Sequence, residues 1–181
     1  MKNKNLPSLI NIVSPSEEPV TLAEAKLYLR VDNIDEDTLI NQIIKTARIS
    51  AEKYIGKSLI TQQWRLSFDK YAPMEVYLRR GPIQTVDSVK FFDKNSNETI
   101  LSSNQYSLSV DNRKLIFEIT PLSNSIEINY TAGYGLSASV PNDIKQGMLI
   151  HIAQLYENRP FNTALQNRSR DLYFPYKELR L

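Results

Sequence analysis

Residues 35–56 read DEDTLINQIIKTARISAEKYIG, and this run decides the fold. Leu39, Ile40, Ile43, Ile44, Ala47, Ala51, Tyr54 and Ile55 recur at helical spacing and fall on one broad stripe. Asp35, Glu36 and Asp37 put negative charge where a helix N-terminus favours it, and Gly56 suits the left-handed position after a last turn. The spacing predicts a helix over 36–55, roughly 30 Å long at about 1.5 Å per residue. Lys45, Arg48, Glu52 and Lys53 are assigned to its flanks, leaving one face to pack a core.

Upstream, Thr21-Leu22-Ala23-Glu24 forms a capping box in sequence, in which the Thr hydroxyl accepts a backbone N–H and the Glu side chain reaches back. Leu22, Ala25 and Leu29 then predict a helix over 21–30. Residues 1–14 hold Lys2 and Lys4 followed by Leu9, Ile10, Ile12 and Val13, but the apolar run is short and broken by Pro7 and Asn11, unlike a signal peptide. No run approaches the ~20 apolar residues of a membrane helix. Synthesis in the cytoplasm is the expectation.

Downstream the period changes from helical to alternating. Trp64, Leu66 and Phe68 alternate with Arg65, Ser67 and Asp69, and strand-like runs continue to Tyr130, with Asp93 to Asn97 as a polar turn and Asp111-Asn112 as a hairpin turn. An antiparallel β-rich insertion over 61–131 follows. Helical spacing returns at Ile144, Met148, Ile152, Leu155 and Tyr156, behind Pro141, and predicts a helix over 141–158 that stops before Pro160. Gly147 inside it implies a close approach of another element. The expected architecture is α+β: a single domain over 1–181, with a helical core of two N-terminal helices and one C-terminal helix, the β insertion, and an extended tail over 160–181.

The 181 residues include one His and no Cys, which excludes disulfides, Cys-ligated metals, thiol nucleophiles and multi-His sites within one chain. His151 lies near the apolar face of the last helix and reads as a packed structural residue, so no catalytic residue, metal ligand or cofactor site is assigned. The sheet carboxylates Asp69, Asp87, Asp93, Glu98, Asp111 and Glu118 show no spacing that pairs them as acid and base, which leaves a carboxylate-dependent hydrolase as a weak alternative. Arg79, Arg80 and Lys90 with Trp64 and Tyr77 suggest single-stranded nucleic-acid binding as another alternative, against a charge-balanced sheet region. Thr131-Ala132-Gly133-Tyr134-Gly135 matches neither a dinucleotide nor a Walker fingerprint and reads as the end of the last strand.

Residues 1–60 and 61–140 each carry eight basic and eight acidic side chains, so the net charge of +2 arises entirely in residues 141–181. There Arg159, Arg168, Arg170, Lys177 and Arg180 are mixed with Phe161, Leu165, Leu172, Tyr173, Phe174, Tyr176 and Leu179. Aromatic and Arg side chains are the usual anchors of protein interfaces. Such a segment docks on its own domain or on a partner.

Pro19-Val20-Thr21-Leu22-Ala23-Glu24-Ala25-Lys26 with Leu29-Arg30-Val31-Asp32, the long helix from Asp37, Gly81-Pro82-Ile83, Tyr130-Thr131-Ala132-Gly133-Tyr134-Gly135, Val140-Pro141 with Ile144-Lys145-Gln146, and Leu155-Tyr156-Glu157-Asn158-Arg159 together resemble the head-tail connector, or adaptor, proteins of tailed double-stranded DNA phages and gene transfer agents. The resemblance spans roughly residues 15–160, departs at Gly147 where many relatives have Ala, and returns in Pro175-Tyr176-Lys177-Glu178-Leu179-Arg180. It implies a non-enzymatic virion component at the head-tail junction, assembled in the host cytoplasm. Copies would form a twelve-fold ring on the portal protein, extend the DNA channel, and receive the stopper and tail-completion proteins. It also makes the tail the candidate portal or subunit interface, through Phe161, Arg168, Arg170, Tyr173, Phe174, Tyr176, Lys177 and Arg180. Near-neutral charge is compatible with that role, because a strongly basic channel would grip the sliding duplex.

Overall fold

The computed structural model describes residues 7–69, 73–118, 125–157, 165 and 167–178. The chain divides into two compact units, one from Pro15–Ile60 with Tyr134–Leu181 and one from Met1–Ser14 with Thr61–Gly133.

The first unit is helical, with α1 (Leu22–Leu29), α2 (Asp37–Ile55), α3 (Asn142–Glu157) and α4 (Asn167–Tyr173). The capping box of α1 is complete: the Glu24 N–H donates to the Thr21 hydroxyl at 3.1 Å, and the Thr21 N–H donates to Glu24 Oε2 at 2.7 Å. That backbone bond holds the Glu24 carboxyl below its ordinary pKa. The long stripe of α2 behaves as its spacing predicts, with Ile40, Ile44, Ala47, Ala51 and Ile55 buried against Ala25, Ile144, Met148 and Ile152. Gly56 ends α2 at φ 86°, where only a residue free of Cβ strain sits easily.

Two expectations for α2 change. Asp37 lies in the first turn, where its charge was expected, but Glu36 at the N-cap makes no side-chain cap bond. Instead Asp37 pairs with Lys26 of α1 at 2.6 Å, and Glu36 accepts the Tyr156 hydroxyl of α3, so these carboxylates join helices. Arg48 and Glu52, assigned above to the solvated flanks, are buried at 5% and 7% exposure. Arg48 donates from Nε to Glu18 at 2.7 Å and from Nη1 to Glu52 at 3.0 Å, while Glu52 Oε1 accepts the Leu59 N–H at 2.9 Å. Mutual pairing and hydrogen bonding are what make such burial tolerable.

The second unit holds two antiparallel sheets. Strands β1 (Ser8–Val13), β2 (Gln62–Phe68), β3 (Glu75–Tyr77), β4 (Ile83–Phe92), β5 (Glu98–Ile100), β6 (Tyr106–Leu108), β7 (Lys114–Phe117) and β8 (Ser125–Ala132) order as β1-β2-β8-β4-β5 and β3-β7-β6. The central β8 alternates strictly, burying Ile126, Ile128, Tyr130 and Ala132. One apolar core serves both sheets, with the Phe91 and Phe117 rings 5.8 Å apart.

Strand β1 was not expected from the sequence. Its half-buried positions are Leu9 and Asn11, and the polar Asn11 breaks the apolar alternation, donating to Gln62 Oε1 and the Gln63 carbonyl, each at 3.2 Å. The two predicted turns are present. Asp93 accepts the Asn95 and Asn97 N–H groups at 2.7 and 2.9 Å, and Asn112 takes φ 53° between β6 and β7.

Candidate assembly surface

The tail is where sequence and resemblance converge, and its described part, residues 165 and 167–178, is folded. Instead of the expected extended segment, α4 runs into a 3-10 turn at Phe174–Tyr176. Leu165, Ser169, Tyr173 and Tyr176 recur at helical spacing. The small polar Ser169 at a fully buried position disguises that period.

Five contacts seat this segment on its own unit. The Tyr173 ring is fully buried over Gly147 of α3, where an added Cβ would lie 2.5 Å from Tyr173 Cε1. Gly147 is therefore explained by a close approach, as the sequence suggested, and the approaching group is an aromatic ring from the tail. Tyr173 also meets Tyr54 of α2 at 6.1 Å between ring centres, and burial pushes its phenol pKa up. The Glu178 N–H donates to the Ile55 carbonyl at 2.7 Å, satisfying a C-terminal carbonyl that the helix itself leaves unpaired. Lys177 lies 5.0 Å over the Tyr54 ring, and the Tyr176 hydroxyl donates to Asp143 at 3.1 Å.

This seating sorts the candidate interface residues. Tyr173 belongs to the core of its own unit and offers no free surface, and Tyr176 is half-buried. Arg168, Arg170, Phe174 and Lys177 remain exposed, Phe174 at 64%. Phe161 and Arg180 lie outside the described residues.

Most of the groups behind the other readings are engaged locally. Arg80 stands 5.2 Å over Trp64, Lys90 pairs with Glu98 at 2.9 Å, and Arg65 with Glu127 at 3.5 Å. Trp64 and Tyr77 sit in different sheets, so they make no common stacking platform. Asp87 accepts the Thr85 and Thr131 hydroxyls, Asp93 ties its turn, Asp111 bonds Ser109, and Glu118 bonds Ser107. Hydrogen bonds lower the Asp93 and Asp111 pKa values, from the Asn97 side chain and the Ser109 hydroxyl respectively. A general acid needs the opposite shift. His151 is buried in α3. Among the described residues no three His, Asp or Glu side chains gather as a metal set, and no helix is long and apolar enough to cross a membrane.

A helical unit interrupted in sequence by a β-rich unit is the α+β build expected from the sequence, and the folded terminal segment departs from the extended tail expected there. The chain belongs to the head completion protein family, whose model matches residues 18–166. No curated protein matches it in sequence. Its fold is similar to a chain in the neck of an empty gene transfer agent particle computed with C6 symmetry, with TM-score 0.81, 22% identity, and coverage of 96% of this chain and 97% of that one. A chain in the virion of a native gene transfer agent particle gives TM-score 0.80 at 23% identity, covering 96% of each chain. A third, in the neck of a native particle computed with C12 symmetry, gives 0.80 at 21% identity, covering 96% of this chain and 97% of that one.

Proposed function

We propose that this chain is a non-enzymatic structural connector at the head-tail junction of a tailed double-stranded DNA phage or gene transfer agent. Copies form a ring on the portal protein, continue the DNA channel, and give the stopper and tail-completion proteins a platform. The family match over residues 18–166 carries this reading. Similarity over nearly the whole chain to proteins in particle necks computed with C6 and C12 symmetry supports a ring. The outward Arg168, Arg170, Phe174 and Lys177 supply an assembly surface of suitable chemistry.

The test is reconstruction of particles made with and without the chain. Ring density beneath the portal that disappears with the chain is the expected result, together with heads that fail to join tails. Complete, tailed particles lacking the chain would sink the reading, as would a cognate portal that never retains it.

A further inference from the structure

The bare backbone edge of a sheet invites another strand, and folded proteins blunt such edges with short length, charge or proline. Among the described strands, three of the four sheet edges follow that rule. Strands β3, β5 and β6 are three residues long each. Glu75 of β3 pairs with Lys114 at 2.8 Å, Glu98 of β5 pairs with Lys90 at 2.9 Å, and the Ser107 hydroxyl of β6 donates to Glu118 at 3.1 Å.

Strand β1 does not follow it. It ends the five-stranded sheet, pairs there with β2, and its six residues Ser8–Val13 include no charged side chain and no Pro. Ile10 is 54% exposed, Ile12 39% and Val13 50%, so apolar side chains accompany the bare backbone. Arg65, opposite Ile10 on β2, turns to Asn129 at 3.0 Å and Glu127 at 3.5 Å, both on β8, away from this edge. Pairing with β2 is regular from Ser8 to Asn11 and shifts only between Asn11 and Val13. At about 3.4 Å per residue the edge is roughly 20 Å long. In an antiparallel ladder every second residue turns its N–H and C=O away from the neighbouring strand, so β1 offers donors and acceptors at the spacing of a further extended chain.

We propose that β1 accepts an extended apolar segment of a different neck protein as an added strand. Backbone hydrogen bonds supply the affinity, and alternate apolar side chains meeting Ile10 supply the specificity, as in other sheet edges that recognise peptides. The choice of a different protein over a second copy rests on the ring reading above. Strand β1 against β1 would use the same edge twice, which requires a two-fold axis, whereas copies in the proposed ring all point one way. A copy that offered another of its described edges would bring only three residues, with a glutamate in β3 and in β5.

Full-length chain with photoreactive benzoylphenylalanine in place of Ile10, or in place of the exposed Val110 as a control, is supplied to particles instead of the natural chain, and purified necks are irradiated. Position 10 is expected to crosslink to one short segment of a different neck protein, a segment that position 110 does not reach. Amide hydrogen exchange in residues 8–13 should also be slower in necks than in the free chain. Crosslinks to another copy of this chain, no crosslink, or unchanged exchange overturn the strand addition while leaving the ring reading standing. Necks that never contain the chain overturn both. As a second measurement, Ile10→Lys puts a charge on the exposed edge and should lower retention of the crosslinked protein about tenfold or more without moving the melting temperature of the free chain. Unchanged retention, or a lowered melting temperature, counts against the strand addition.

Discussion

The helical and β units keep their polar groups in different places, and this sets how each responds to change. In the β unit the buried set is almost wholly apolar, and the described carboxylates serve turns and surface ion pairs. In the helical unit, an Arg and a Glu are buried in one pair, and a tail segment of mixed chemistry completes the packing. A sheet core tolerates small losses of volume gradually, whereas a buried charge pair or a ring against a glycine fails abruptly.

Arg48→Ala offers the sharpest break in that comparison. It strands the buried Glu52 without its cation, and a loss of about 3–5 kcal/mol is expected in urea unfolding. A loss below about 1 kcal/mol would mean that the pair is not a keystone of the helical unit. Next comes Gly147→Ala, whose methyl would lie 2.5 Å from Tyr173 Cε1. Overpacking there should cost about 1–3 kcal/mol and expose residues 167–178 to limited proteolysis. Unchanged protection would contradict the seating of Tyr173. Ile128→Val in the β unit should cost only about 0.5–1.5 kcal/mol, because one methylene is removed and the sheet relaxes.

The smallest effect is a pH response from α1. The Glu24 carboxyl has a folded pKa below its ordinary value of 4.5, so its contribution is fully present above that value and fades as pH falls through the lowered one. Glu24→Gln should flatten the acid limb of stability measured between about pH 5 and 3. An acid limb that is identical in the variant would remove the capping box as a source of pH sensitivity.

How legible these features were depends on whether a residue's chemistry agrees with its environment. The stripe of α2 was readable because Ile40, Ile44 and Ile55 are both apolar and buried. Arg48 and Glu52 lie near the same stripe but are charged, and a sequence pattern assigns charge to solvent until a partner is seen. Asn11 hid β1 and Ser169 hid α4 in the same way, each a polar residue at an inward position. Gly147 announced a close neighbour but not which one, because Tyr173 arrives from a segment that pairwise spacing does not connect to it. For the assembly surface, the aromatic and basic composition of the tail was visible, while the division into inward Tyr173 and outward Phe174 was not. Adjacent in sequence, they are separated by the turn from α4 into the 3-10 segment.

The bond from the Glu178 N–H to the Ile55 carbonyl also orders events in time. Helix α2 leaves the ribosome more than 120 residues before the group that closes its C-terminal end, and the whole β segment is made in between. At about 5–20 residues per second, that delay is roughly 6–24 s, for most of which the apolar stripe of α2 has neither α3 nor the tail to cover it. The β segment can fold within that interval, so the helical unit is the last part of a nascent chain to close and the part most exposed to premature association with other chains.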